Sequence, residues 1–407
     1  MRMTSTLLAG TLFAAAMFAG PAFAQAGKTA ETKEANAPDQ KPAFENQTRA
    51  SLPDAVPEIS VDVVAKGLPH LWAMEFLPDG RMLVTAKAGT MHVVFQDDGQ
   101  ASPPIEGVPE VMSNGQGGLL DVALAPDFER SNRIYFSFSE PRDGGNGTSV
   151  ASAKLIEQDG TFLLQEVKVI FRQMPTYDGD KHFGSRLVFG PKGELYVTVG
   201  ERSDPETRVG AQDLASGFGK VFRIDAEGKA FADNPFSKTE GAQPEIWSFG
   251  HRNLQAATLD DQGRLWTVEH GPKGGDELNR PEAGKNYGWP KVTYGIDYSG
   301  APIGEGITAL EGTEQPVYYW DPVIGPSGMA YYTGDAIPEW KGAFLIGGLV
   351  SKGLVVLHME GDKVAHEERV PFDARIRDVK VAPDGSVFVV TEARGGGEST
   401  ILRLVKS

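Results

Sequence analysis

Short runs of apolar residues alternate with polar turn residues along the chain from Ile59 onward. The runs are rich in Val, Leu, Phe and Tyr, and none keeps a 3.6-residue period long enough to indicate a long helix. Apolar runs of this kind, separated by Gly, Pro and Asp, are typical of β-strands joined by tight turns. The pattern therefore predicts an all-β protein.

One unit recurs within this pattern: an apolar strand, a turn such as Pro-Asp-Gly, and a second apolar strand. Five clear copies and a divergent sixth lie at 76–86, 123–139, 188–201, 258–270, 380–392 and 329–348. The spacing between copies leaves room for one four-stranded sheet with its loops. Radially repeated sheets close into a β-propeller, whereas an open sandwich does not explain six similar hairpins. We therefore expect one domain over residues 58–407, a six-bladed β-propeller with four-stranded antiparallel blades.

The residues before this domain differ in composition. Arg2 precedes an apolar run over 7–20 and an A-x-A site that ends at Ala24, which predicts a secretory signal peptide over residues 1–24. A membrane anchor is the alternative, but a membrane-spanning helix needs about 20 apolar residues and this run is shorter. Residues 25–57, rich in Ala, Lys, Glu, Gln and Pro, predict a flexible tail.

Charge and cysteine content exclude several kinds of site and partner. The chain has 55 acidic and 39 basic residues, so its net charge is −16. An acidic protein repels phosphate backbones, which argues against nucleic acid and anionic membranes as partners. No later stretch predicts a membrane span. The absence of cysteine excludes disulfides, thiolate metal sites and iron–sulfur clusters.

Polar residues precede the recurring turn at nearly the same offset in four of the copies. These residues, with two that lie beside them, are Gln116, His182, Arg252, Asn253, Arg375 and Arg377. Any one alone could be a strand-start residue that faces solvent. Equivalent positions of a propeller converge on its axis, however, and converging cations repel each other unless an anion lies among them. The pattern predicts a ligand with several carboxylates or phosphates. The chain lacks the glycine-rich motifs that bind nucleotide phosphates, which argues against a nucleotide cofactor.

A second feature is the segment 269–290, in which Gly and Pro are interleaved with Asp276 and Glu277. Its carbonyl and carboxylate oxygens are the hard ligands that Ca²⁺ prefers. The segment therefore indicates a calcium site, and a solvated surface loop is the alternative.

Six motifs occur in a fixed order along the chain: NGQGGLLDVALAPDF, HFGSRLVFGPKGELYVTVGE, GHRNLQ, EHGPKGGDELN, GKNYGWP and RIRDVKVAPDG. Over roughly 60–405 this ordered set resembles the soluble, pyrroloquinoline-quinone (PQQ)-dependent glucose/sorbosone dehydrogenase family, and within it the periplasmic aldose sugar dehydrogenases. That family is a six-bladed propeller with the quinone on its axis, which agrees with the repeat count made from the strands.

The resemblance implies a role for each matching residue. It implies that His182 is the catalytic base, that Glu201 orients it, and that Arg252 stabilises charge on the quinone. It implies that the quinone is bound by Gln116, Arg252, Asn253, Lys352, Arg375 and Arg377. It implies that the carbonyls of Gly271 and Pro272 hold calcium on the quinone, and that Glu277 and Tyr287 form a further calcium site. The chain departs from glucose-oxidising members at Glu201, where those members have Asp.

The function implied is oxidation of aldose sugars at C1 to the lactone, by hydride transfer to PQQ with Ca²⁺ as a second cofactor. An external acceptor, the quinone pool or a cytochrome, would complete the reaction, and the bacterial periplasm is the expected location. Two other functions stay open. A calcium-dependent propeller lactonase would share the acidic loop but would not need Lys352, Arg375 and Arg377. A non-catalytic binding propeller would not need a base with an orienting carboxylate.

Overall fold

Six antiparallel sheets contain the strands in the part of the chain that the structure describes. The structure is a computed structural model that describes residues 27–393, 395 and 397–407. The predicted signal peptide, 1–24, lies outside the described residues. Four sheets are meanders of four consecutive strands each. Blade 2 contains β5 (Leu119–Leu124), β6 (Arg133–Arg142), β7 (Gly145–Gln158) and β8 (Thr161–Arg172), and blade 3 contains β9 (Leu187–Phe189), β10 (Leu195–Val199), β11 (Lys220–Ile224) and β12 (Ile246–Phe249). Blade 4 contains β13 (Leu254–Leu259), β14 (Leu265–Glu269), β15 (Asp276–Asn279) and β16 (Tyr318–Trp320), and blade 5 contains β17 (Pro326–Tyr331), β18 (Ala343–Gly348), β19 (Gly353–Glu360) and β20 (Lys363–Pro371).

The remaining two sheets meet where the ring closes. Blade 6 contains β21 (Arg375–Val381), β22 (Val387–Glu392) and β23 (Ser399–Lys406), and its outermost strand is β1 (Ile59–Leu68), which pairs antiparallel with β23. Blade 1 is a three-stranded sheet of β2 (Leu71–Phe76), β3 (Met82–Ala86) and β4 (Thr90–Val94). Its fourth position is a single bridge between Val94 and Ala101. Pro103 and Pro104 follow that bridge, and proline has no N–H to continue a ladder.

The blades are arranged as a closed ring. The first strands of the blades contact one another in the order β2, β5, β9, β13, β17, β21 and back to β2. Six clusters of buried apolar side chains fill the six interfaces between neighbouring blades. The predicted six-bladed propeller is therefore confirmed.

The recurring turn lies between the first and second strands of each blade. Its marker residues all have positive φ angles, between 51° and 87°: Gly80, Asn132, Gly193, Gly263, Gly342 and Gly385. Glycine, and less readily asparagine, adopts this left-handed conformation without steric cost. Among the described residues, helical structure is confined to α1 (Phe128–Ser131), α2 (Pro205–Arg208) and two 3₁₀ turns, Val209–Gln212 and Pro338–Trp340. No helix in the described part of the chain is long and apolar enough to cross a membrane.

A buried charged triad joins the first strands at the axis. The Arg186 guanidinium lies 3.0 Å from the carboxylates of both Asp121 and Asp378, and all three side chains are buried. The guanidinium also lies 4.4 Å from the centre of the Trp72 ring. The triad ties blades 2, 3 and 6 together and fixes the ring of Trp72.

Residues 27–52, here called the N-terminal strap, lie across the outer strands of blades 4 and 5. Backbone N–H groups of Asn36 and Ala37 donate to the Asp321 carboxylate, each at 2.8 Å. Gln47 is fully buried, and its amide donates to the Pro316 carbonyl at 2.9 Å. The strap is thus held mainly by hydrogen bonds.

Composition predicts a flexible tail for residues 25–57, and residues 27–52 of that segment are instead packed on the propeller. Glu31 pairs with Arg369 at 2.7 Å, and Ala50 is buried against blades 4 and 5. Low hydrophobicity indicates disorder only when burial of apolar surface is the main stabilising term. That criterion takes no account of polar contacts to a folded surface.

Candidate active site

A cavity of about 270 Å³ lies on the propeller axis, at the end where the first strands begin. Four of the residues predicted from the turn offset line it, namely Gln116, Asn253, Arg375 and Arg377. They come from blades 2, 4 and 6, so the fold brings together side chains that are more than 250 positions apart in sequence. The predicted convergence on the axis is therefore observed for these four.

The two arginines of blade 6 share one carboxylate. Arg375 Nη2 lies 3.0 Å from Glu392 Oε1, and the Arg377 guanidinium donates to Glu392 Oε2. Burial opposes ionisation of Glu392, but the two guanidiniums outweigh it and lower the pKa of this carboxyl. One carboxylate cannot neutralise two cations, so the cluster keeps net positive charge.

His182 and Glu201 form a buried pair beside this cavity. His182 Nδ1 lies 2.8 Å from Glu201 Oε1, and the two side chains are 7% and 0% exposed. The longer carboxylate of Glu201 therefore reaches the imidazole without a gap. Nδ1–H donates to the carboxylate, which leaves Nε2 without a hydrogen-bond partner among the described residues. The geometry suits an imidazole that accepts a proton at Nε2.

The electrostatics of this pair favour a neutral imidazole. Burial, with the positive charges of Arg252 and Arg208, holds the pKa of His182 well below its usual value. Burial raises the pKa of Glu201 to about 7, although Arg252 acts in the opposite direction. The pair therefore resists taking up an additional proton at the histidine and holds one more readily at the carboxylate.

Cavity-lining side chains also hold the backbone around His182. Gln116 Oε1 accepts the His182 N–H at 2.9 Å, and Asn253 Oδ1 accepts the Gly184 N–H at 3.1 Å. Glu201 Oε2 in turn accepts the Ser203 N–H at 2.9 Å. Gln116 and Asn253 thus position the backbone around His182 and also line the cavity.

Arg252, also a predicted quinone contact, does not line the axial cavity but lines a second, smaller one. Its Nη1 donates to the carbonyls of His270 and Gly271, at 3.0 and 2.8 Å. The guanidinium lies 5.2 Å from the centre of the Trp289 ring, and Nε is buried with no partner in the described structure. A buried donor without a partner is costly, so this N–H is available to an oxygen of a ligand or of water.

The smaller cavity, of about 10 Å³, has room for one water molecule or one ion. Arg252, Glu277 and Tyr287 line it, together with Glu269, which faces Glu277 across β14 and β15. Burial and the neighbouring charge of Glu269 raise the pKa of Glu277 well above its usual value. His251 and Asn279 donate to Glu269, whereas no cation pairs with Glu277 in the described residues.

The other residues predicted to bind calcium differ in whether their oxygens already have hydrogen-bond partners. The Gly271 carbonyl faces Arg252, so a cation bound there would require that arginine to change partners. Pro272 lines neither cavity. The Tyr287 hydroxyl donates to the Arg280 carbonyl and accepts the Glu282 N–H at 3.0 Å. No cluster of three His, Asp or Glu side chains that could hold a metal occurs in residues 27–393, 395 and 397–407.

Comparison with known proteins identifies the family of the chain. The family model described as glucose/sorbosone dehydrogenase matches residues 68–403. The chain belongs to the glucose/sorbosone dehydrogenase family. An aldose sugar dehydrogenase of Escherichia coli is 44% identical over 344 residues, which are 83% of this chain and 91% of that protein.

Two solved structures show how far the similarity extends. The soluble aldose sugar dehydrogenase of E. coli, solved in its apo form, is 42% identical with a TM-score of 0.81, over 86% of this chain and all of that one. A PQQ-bound aldose sugar dehydrogenase of Streptomyces coelicolor is 30% identical with a TM-score of 0.69, over the same shares of the two chains. The family match begins at residue 68, so the N-terminal strap lies outside it.

The structure places Lys352 apart from the four predicted quinone contacts that line the axial cavity. Lys352 is an exposed turn residue between β18 and β19, and it does not line the axial cavity. The cavity wall instead includes His70, Lys87 and Glu392, none of which the sequence analysis singled out. His70 stands at the predicted offset before the turn residue Pro78, so the signal for it was present.

Proposed function

We propose that this member of the family is a quinoprotein that oxidises aldose sugars at C1 to the lactone, with PQQ bound on the propeller axis. The observation that carries the proposal is the His182–Glu201 pair beside a cationic axial cavity. Relatives named aldose sugar dehydrogenase, one of them solved with PQQ, support the same reaction and cofactor.

The lining of the axial cavity fits this cofactor. PQQ carries three carboxylates, and Arg375 and Arg377 present guanidiniums that match carboxylate geometry. Gln116 and Asn253 add amides, and Trp72 adds an aromatic surface. When bound, the quinone would supply the two-electron acceptor for the hydride of C1.

The chain's own residues supply proton transfer and orientation. His182 Nε2 would remove the proton from the C1 hydroxyl, and Glu201 would hold the ring and stabilise the imidazolium that forms. The Arg252 guanidinium, with its unpartnered Nε, would donate to oxygen on which negative charge develops. The oxidation yields the lactone, two protons and two electrons, and an external acceptor such as the quinone pool or a cytochrome must remove the electrons.

The pH dependence of kcat/KM should report on the His182–Glu201 pair. When the pair takes up an extra proton, His182 Nε2 carries hydrogen in either of two states: Glu201 is protonated and donates to Nδ1, or the imidazole is charged. In both states Nε2 cannot accept the proton of the C1 hydroxyl. We expect kcat/KM to fall as pH falls through about 7. In Glu201→Gln the rate should be lower and this acidic limb should move to lower pH. A wild-type profile that stays flat across neutral pH would contradict the assignment.

We further propose that the small cavity holds Ca²⁺. Glu277 is a buried carboxylate without a cationic partner in the described residues, and the space beside it is ion-sized. Backbone carbonyls and water would complete a set of hard oxygen ligands. A bound cation would offset the repulsion between Glu277 and Glu269.

Glu277→Gln tests this calcium site by stability. Without metal, the variant should melt at or above the wild-type temperature, because it removes one of two adjacent buried acids. Wild type should gain stability when Ca²⁺ is added after chelation, and the variant should gain less. Glu129→Gln, an exposed acid on α1, serves as the control. Equal calcium increments in wild type and Glu277→Gln would refute the site.

Reconstitution tests the overall function. Apo-protein given PQQ and Ca²⁺ should reduce an artificial electron acceptor when an aldose is added. Hydrolysis of a lactone by apo-protein with Ca²⁺, without reduction of the acceptor, would favour the lactonase alternative. Quinone binding with neither activity would favour a binding protein. The leader-like residues 1–24 support export to the periplasm as part of this proposal.

A further inference from the structure

Three blades place an equivalent residue at the axial cavity. In blades 1, 4 and 5 the residue that follows the second strand donates its N–H to the carbonyl of the residue that precedes the first strand. These hydrogen bonds join Lys87 to His70 at 2.8 Å, His270 to Asn253 at 3.0 Å, and Leu349 to Gly325 at 2.8 Å. Lys87, His270 and Leu349 all line the cavity. In these three blades, this position therefore faces the axial cavity.

Lys87 is the cation at this position. Its half-buried side chain donates through Nζ to the Gly115 carbonyl, which also lines the cavity. Burial lowers the pKa of Lys87, Glu392 and Asp180 oppose that effect, and Arg377 adds to it. With Arg375 and Arg377, the cavity wall holds three cations against the single carboxylate of Glu392.

Lys352 occupies a different kind of position. It lies in the turn that leads into β19, with a φ angle of 55°, and its carbonyl accepts the Phe372 N–H at 3.1 Å. Its side chain is exposed, whereas Leu349 in the same connection faces the cavity. A solvated lysine pays a larger entropic and desolvation cost on binding than one already held at the site.

We propose that Lys87, rather than Lys352, is the lysine that pairs with a carboxylate of the quinone cofactor. The inference rests on the proposed function, because it takes the axial cavity to be the PQQ site. Lys87 exchanges its hydrogen bond to Gly115 for one to the carboxylate, and the third cation balances the third acid of the ligand. Arg375 and Arg377 retain the other two.

The test is a titration of apo-protein with PQQ, followed by quenching of tryptophan fluorescence, since Trp72 lines the cavity. Lys87→Met and Lys352→Met change the net charge of the protein equally, so a difference between them reports the position of the lost charge. Lys87→Met should weaken PQQ affinity by at least roughly 30-fold, the lower end for a desolvated charge pair. Lys352→Met should bind as wild type does, and Lys87→Arg should recover most of the affinity.

The outcomes separate this inference from the function on which it rests. If wild-type protein fails to bind PQQ, the proposed function is refuted. If wild type binds and Lys352→Met loses the affinity while Lys87→Met keeps it, only the present inference is overturned. Apo-protein melting curves for each variant establish that it is folded. If Lys87→Met does not fold, Lys87→Gln in the same titration gives the same discrimination.

Discussion

His182→Gln should lower kcat for aldose oxidation by at least ~10²-fold, the low end for loss of a general base. Glutamine can still accept or donate near Glu201, but its amide cannot take a proton at the position of Nε2. The backbone around His182 is held by Gln116 and Asn253, so the cavity should keep its shape. PQQ affinity should therefore match wild type within error while turnover is lost.

Steady-state kinetics with saturating PQQ and Ca²⁺ measure this effect, with quinone titration in parallel. His358→Gln is the matched control, because His358 lies on the outer part of β19, away from the axis. That control should leave kcat unchanged. Turnover near the wild-type rate in His182→Gln would remove His182 from the mechanism, whatever the affinity.

Arg377→Ala should weaken PQQ binding by roughly 30- to several-thousand-fold, which corresponds to about 2–5 kcal/mol for one partner of a buried charge pair. Arg377 is 12% exposed and lies beside Trp72, so water cannot readily replace it at a ligand carboxylate. The expected consequence is a smaller increase in melting temperature when PQQ is added. Because Arg377 forms an ion pair with Glu392, its loss should make the apo-variant slightly less stable than wild type.

Arg264→Ala provides the control for loss of a paired arginine. Arg264 contacts Asp260 and Asp362 on the outer side of the propeller, so its removal should lower stability without changing the PQQ increment. Melting curves with and without saturating PQQ give both quantities for each variant. An unchanged increment in Arg377→Ala would show that this arginine does not contact the cofactor.

Local sequence signals predicted the ring of six blades and several of the residues near its axis. The turn residues with positive φ, such as Gly80 and Gly385, require glycine for steric reasons and so mark each blade in the sequence. Gln116, His182 and Arg375 precede these turns at a similar offset, and a propeller turns a sequence offset into a common position in space. His70 precedes the turn of blade 1 at a similar offset, so the same spacing could have predicted it.

The remaining features depend on strand register or on polar contacts between distant segments. Lys87 reaches the cavity because Ala86 pairs with Leu71 at the end of β3, and turn spacing does not reveal that register. Glu392 pairs with Arg375 and Arg377, which lie on the preceding strand of the same hairpin, and turn spacing does not reveal these contacts. Gln47 holds the strap through single hydrogen bonds, which leave no periodic pattern in the sequence.

The pairing of β1 with β23 sets an order of events for the growing chain. A nascent chain emerges with its N-terminus first, so β1 has no strand to pair with until β23 (Ser399–Lys406) has been synthesised. Blades 2 to 5 contain only consecutive strands and can form earlier from local pairings. Until the last strand arrives, β22 keeps an exposed edge on blade 6 that can pair with other chains. Chains shortened at the C-terminus should therefore aggregate rather than accumulate as open rings.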